Sequence, residues 1–141
     1  MNYEEYFEPR YEYSLKEINY ITIPSPKEEV KCQQSINDTI TGTIEKGLLQ
    51  LRFTRTAIFT PEYIYNLRIT YEIHLTFKEN VIIKPEQDGE YWSTLFLHEN
   101  TQLFGDICSR ISLIMANITG SDNRVPLILP PQPVGVFAKN Q

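Results

Sequence analysis

The feature that most restricts the folds open to this chain is the run from Leu103 to Ile118, where apolar residues stand at 103, 104, 107, 108, 111, 114, 115 and 118. This i, i+3/i+4 spacing is that of a helix with one buried face. Gln102, Asp106, Ser109, Arg110, Ser112 and Asn117 fall mostly off the stripe. Asn100 or Thr101 is placed to cap the start, and Gly120 to supply a positive-φ stop. A short apolar segment rich in proline, Val125–Pro133, follows. Since the rest of the chain reads as strand, the helix has a sheet to cover.

The clearest strand is Tyr63–Lys78. Tyr63, Tyr65, Leu67, Ile69, Tyr71, Ile73, Leu75 and Phe77 share one parity, and polar residues hold the other except at Ile64. Period-2 alternation of this length means one dry and one wet face. The preceding strand, Leu48–Thr60, places Leu49, Leu51, Phe53, Ala57 and Phe59 on one face, with Arg55 interrupting it. Only Thr60-Pro61-Glu62 separates the two, which predicts an antiparallel hairpin. An earlier strand over Glu12–Ile23 changes parity near Glu17, the signature of a β-bulge. Residues 24–47 form a long connection with a short strand at Thr39–Ile44 and a turn at Glu45-Lys46-Gly47. Val81–Lys84 reads as a short strand stopped by Pro85, Asp88-Gly89 as a turn, and Tyr91–Leu97 as a short helix leading into the main one. Strands first and helix last is an α+β order.

At 141 residues the chain is expected to form one domain. Thirteen basic and 18 acidic residues leave a net charge of −5, which argues against nucleic acid or an anionic membrane as the main partner. The first ten residues, MNYEEYFEPR, lack the basic and apolar regions of a secretory signal, and no apolar run reaches the ~20 residues of a membrane span, so membrane insertion is not expected and the cytoplasm is the expected location. Cys32 and Cys108 have no metal-ligand spacing, and Cys108, on the helix stripe, reads as a small buried hydrophobe.

Catalytic constellations are scarce. His74 lies on the wet parity of its strand, and His98-Glu99 lacks the second histidine of a metalloprotease helix. There is no glycine-rich phosphate loop, and Cys108 has no adjacent base. No enzyme activity, cofactor or metal is therefore expected. Aromatic content is high, with nine tyrosines. Tyrosine suits recognition surfaces, but Tyr63, Tyr65 and Tyr71 share the oily parity and are equally explained as core.

The segments together resemble the SecB export chaperones and their shorter SecB-like relatives. LFGDICSRIS at Leu103–Ser112 is similar to the family's ILFPYARE-type helix start, with Leu103 and Phe104 at the paired apolar positions and LFGD in place of LFPY. VPLILPPQP resembles its FPP-x-x-LPP turn, with Leu129, Pro130 and Pro131 in place. GLLQLRFTRTAIF and YNLRITYEIHLTF fit its long hairpin. The resemblance covers about residues 10–133, with 1–9 and 134–141 as tails. It implies a strongly twisted four-stranded antiparallel sheet with one long amphipathic helix packed on it, assembled as a dimer or tetramer. The family's second helix and motor-docking tail find no counterpart, so engagement of a SecA-type motor is left open.

The activity implied is that of an ATP-independent holdase for unfolded or export-bound precursor polypeptides. Phe59, Tyr63, Tyr65, Trp92, Phe96 and Phe137 are the candidate peptide-groove residues, each equally explicable as core. Leu103, Ile107, Ile111, Leu113 and Ile114 are candidates for the oligomer interface, Leu113 because it stands off the main stripe. Two other readings stay open: a dedicated chaperone of one partner, such as an antitoxin, and a structural or assembly protein of the same shape.

Overall fold

A computed structural model describes residues 3–24, 33–60, 64–121, 127–128 and 137–140. A single turn of helix, α1 (Tyr3–Tyr6), leads into β1 (Phe7–Thr22). β2 (Gln33–Glu45), β3 (Leu48–Thr60) and β4 (Tyr65–Phe77) follow, then α2 (Gly89–Glu99), α3 (Thr101–Thr119) and a short β5 (Phe137–Asn140). The sheet order is β1-β4-β3-β2-β5. Four strands are mutually antiparallel, and β5 adds to β2 in parallel.

The turn at Glu45-Lys46-Gly47 makes a two-residue hairpin. Lys46 and Gly47 both take positive φ, 50° and 75°, the backbone that matches the right-handed twist of the flanking strands. Pairing then runs without a break from Glu45↔Leu48 to Gln33↔Thr60. The expected strand at Thr39–Ile44 is thus only the second half of a longer one. Its polar residues Gln33, Gln34, Ser35 and Asn37 obscure the period, but the ladder to β3 holds them extended.

The bulge expected near Glu17 lies between Leu15 and Glu17, with Lys16 as the extra residue. It has a clear effect on packing. Tyr11, Tyr13 and Leu15 stand opposite Leu75, Ile73 and Tyr71; past the bulge, Ile18 and Tyr20 stand opposite Ile69 and Leu67. The parity change in the sequence therefore keeps Tyr11, Tyr13, Leu15, Ile18 and Tyr20 on one face, while Ile21, opposite Asn66, points to the other.

That face carries the core. Leu49, Leu51, Phe53 and Ala57 of β3, the apolar parity of β4, Trp92 and Phe96 of α2, and Leu103, Phe104, Ile107, Cys108, Ile111 and Met115 of α3 are all buried. At one end, the ring of Phe7 sits 4.7 Å from Phe77, 5.5 Å from Trp92 and 5.2 Å from Phe96. α2 begins at Asp88, whose carboxylate accepts the Tyr91 N–H at 2.9 Å, so Asp88-Gly89 starts a helix rather than forming a free turn.

Two further expectations are corrected. Val81–Lys84 is not a strand: the chain turns back as Val81 N–H donates to Lys78 O (3.1 Å), and Ile82 is left exposed with no ladder to join. Gly120 does not use positive φ. It stays right-handed at −81°, its N–H bonded to Ala116 O, and Thr119 Oγ1 accepts the Leu127 N–H at 2.7 Å to tie the following segment back. The Leu129-Pro130-Pro131 turn lies outside the described residues.

Candidate polypeptide-binding surface

α3 sits over the middle of the sheet. The rings of Phe104 and Phe53 are 5.7 Å apart, and Arg55 Nη1 donates to Ser112 Oγ at 3.1 Å. Arg55, the residue that interrupts the oily parity of β3, is wholly buried with Asp38 of β2. Its Nε and Nη2 donate to the two carboxylate oxygens, each at 2.8 Å. Burial alone would lower the Arg55 pKa, but the hydrogen bonds and charge of Asp38 outweigh it and hold the pKa above its ordinary value. Burial pushes the neighbouring Cys108 thiol up to about 12, a neutral packing group rather than a nucleophile.

The helix does not cover the whole dry face. β1 is an outer strand, and along it Tyr11 (41%), Leu15 (41%) and Ile18 (45%) remain exposed on the helix side. Tyr13, between Tyr11 and Leu15, and Tyr20, beyond Ile18, are half-buried. The Tyr11 and Tyr13 rings stack at 6.4 Å, and Tyr13 reaches Tyr71 at 6.3 Å and lies under the Arg110 guanidinium at 5.4 Å. At the other end Tyr20 meets Tyr65 at 5.6 Å, and Tyr65 meets Phe59 edge-on at 5.2 Å. An aromatic and aliphatic strip thus runs the length of β1 beside α3. Across the helix, Leu113 is 65% exposed.

The sheet's opposite face is polar. Glu72 accepts from Arg52 Nε at 3.0 Å, meets His74 Nε2 at 2.6 Å and lies 3.8 Å from Lys16 Nζ. Burial would raise its pKa, but these partners hold it below the ordinary carboxylate value. His74, expected on the wet face, is there, and its partner is a neighbour on its own strand. No cluster of three metal-ligating side chains occurs among the described residues.

The expected groove residues are scattered by this geometry. Phe59 is half-buried at the end of the strip, and Tyr65 is buried there, its hydroxyl accepting from Gln34 at 3.4 Å. Trp92 and Phe96 are 0% exposed inside the single chain. Tyr63 lies outside the described residues, and Phe137 is in β5, opposite Thr39. Of the expected interface residues, Leu103, Ile107 and Ile111 face the chain's own sheet, Ile114 is half-buried, and Leu113 is free. Tyr13, Leu15, Ile18 and Tyr20 are not among the expected site residues. Their signal was the broken parity around Glu17, which marks one continuous apolar row once the bulge is taken into account.

Neither the known family models nor the curated proteins include a match to this sequence. Among solved structures, the SecB-like chaperone Rv1957 of Mycobacterium tuberculosis, in complex with a ChAD peptide from the Rv1956 HigA1 antitoxin, matches with a TM-score of 0.54. The two share 11% identity, and the match covers 84% of this chain and 82% of that one. The fold is SecB-like. The four antiparallel strands and the long helix laid on one face, both implied by the sequence resemblance, are present. To them this chain adds α2, wedged against the aromatic end of the core, and the parallel β5. No helix among the described residues is long and apolar enough to cross a membrane.

Proposed function

We propose that this protein is an ATP-independent chaperone that holds extended polypeptide on the strip along β1. The observation that carries the reading is the exposed row Tyr11, Leu15 and Ile18, with Tyr13 within it and Tyr20 continuing it. Contiguous apolar surface left open beside a packed core marks an interaction site. Tyrosine-rich surface supplies large contact area at low entropy cost and tolerates varied sequence. The SecB-like fold supports the same class of function, and the complex of Rv1957 with an antitoxin peptide supports a polypeptide as the ligand.

Two versions differ in breadth. A general holdase binds many unfolded or precursor chains; a dedicated chaperone serves one partner, such as an antitoxin. The peptide bound to Rv1957 favours the second as much as the fold favours the first. Homo-oligomerisation, as a dimer or tetramer, belongs to the proposal, with Leu113 on the outer side of α3 and the half-buried Ile114 next to it as the contact. Leu103, Ile107 and Ile111 support α3 from beneath.

The test is light scattering while a denatured, slow-folding client is diluted with and without the protein. Suppressed aggregation at near-stoichiometric amounts without ATP supports the general holdase, and Tyr11→Ser with Ile18→Ser should weaken it. No suppression sinks that version and leaves the single-partner chaperone or an assembly protein.

A further inference from the structure

We propose that the outer edge of β2 is a strand-addition site for an extended polypeptide segment, and that residues 137–140 occupy it as a resident competitor. The proposal rests on the chaperone reading and deepens it by naming a second binding surface of a different kind from the strip on β1.

The two sides of the sheet are built differently. β1 carries Glu8, Pro9, Arg10, Glu12, Lys16 and Glu17. Proline and charges are the devices that stop an outer strand from pairing with other chains. β2, with the sequence QQSINDTITGTIE, has no proline and no basic residue. Its two acids are Asp38, turned inward to Arg55, and Glu45, at the end of the strand. Thr39–Ile44 alternates threonine and isoleucine around one glycine, a composition that favours pairing. Such an edge invites a partner strand.

Among the described residues the edge is also mostly open. β3 pairs with β2 along its full length, Gln33–Glu45, whereas β5 covers the other side only opposite Thr39–Gly42. The register Thr39↔Phe137 to Gly42↔Asn140 shows that the edge accepts a strand. It also shows how lightly the resident is held. Four residues is a short ladder, and parallel pairing is the less stable arrangement per residue. A longer incoming segment, or one that pairs antiparallel, gains backbone hydrogen bonds that the resident does not make.

α2 gives the site a wall. It packs against both β2 and β5. At the crossing the backbones of Gly42 and Gly89 come so close that a Cβ on either meets the backbone of the other. The segment suited to this edge is extended, since backbone pairing carries the contact, and apolar at alternate positions. The chain's own VGVFAK, residues 134–139, has that composition.

The test compares three proteins: the full chain, a variant lacking residues 137–141, and Ala138→Pro, which keeps the full chain but removes a backbone donor from β5. The probe is fluorescein-labelled, reduced and carboxymethylated α-lactalbumin, a permanently unfolded chain. If the resident holds the edge about two-thirds of the time, its removal tightens binding about threefold, because apparent affinity scales with the open fraction. Both variants should show this gain, and a synthetic peptide of residues 133–141 should reverse it. Amide exchange at Thr39–Gly42 should speed up in the variants and slow again when the probe binds. Unchanged affinity with no protection of those amides overturns the strand-addition site while the full chain still binds the probe, so the chaperone reading stands. Should the truncated chain fail to fold, Ala138→Pro decides alone. No binding by any of the three overturns the general holdase, and this site with it.

Discussion

Arg55 shows what one residue can do against its own sequence pattern. It sits on the dry parity of β3, where the alternation calls for an aliphatic side chain, and its charge is met by Asp38 on the neighbouring strand and by Ser112 on the helix above. Removing one partner leaves a buried charge alone, so Asp38→Ala should cost about 3–5 kcal/mol in urea unfolding. The double change Asp38→Leu with Arg55→Met should recover most of that loss, since an apolar pair of similar size carries no desolvation cost. Failure of the double variant to recover would mean that the pair specifies the seating of α3 and does more than avoid a penalty. Glu72 has a different signature. Its folded pKa lies below the ordinary value of 4.5, so its contribution is present above that pH and is lost as pH falls through the lowered folded value. The difference in thermal midpoint between the native chain and Glu72→Gln should therefore shrink as pH drops below about 4.5. A difference that stays constant down to strongly acidic pH would show that Arg52, Lys16 and His74 do not act on Glu72 through charge.

At the scale of elements, two local devices place the pieces. The bulge at Lys16 lets one strand serve one face despite its change of parity, so the strip along β1 depends on a single inserted residue. The second device is the contact between Gly42 and Gly89, where a strand and a helix start meet backbone to backbone. Gly89→Ala should displace α2 and destabilise the fold by about 1–3 kcal/mol, the usual cost of forcing extra volume into a packed contact. The change can be read from the urea midpoint, and near-ultraviolet circular dichroism should report loosening around Trp92. An unperturbed Gly89→Ala variant would mean that α2 stands farther from β2 than described.

At the scale of the whole molecule, the sheet has more apolar surface than one helix can cover. What is left over lies along β1 and on the outer side of α3 at Leu113. On the proposed α3 contact between copies, Leu113→Asp should shift the protein toward the monomer in multi-angle light scattering without changing its fold, since the side chain is largely in solvent; an unchanged mass would overturn that contact. Trp92 provides a control for the binding surface. It is wholly buried among Tyr6, Phe7 and Phe77, so its emission should stay unchanged when client binds. A spectral shift on client addition would show that the aromatic end of the core opens, and would move the binding surface from β1 to α2.

The sequence by itself determined the elements with a strong period: β3 and β4, the hairpin turn at Lys46-Gly47, the bulge near Glu17, and α3. These depend on forces between residues close in the chain, namely side-chain alternation, helical spacing and turn conformation. β2 was read too short because its polar first half has no period of its own and is held extended by pairing with β3. Val81–Lys84 was read as strand because four residues with strand character say nothing about whether a neighbour exists. The choice of surface residues was decided only by the tertiary structure. Alternation tells that Tyr13, Trp92 and Phe96 belong to apolar faces, but not which of those faces another element covers. Covering is a property of strand order and helix placement. Once β1 lies at the outside and α2 packs on the other end, Tyr11, Leu15 and Ile18 remain in water and Trp92 does not.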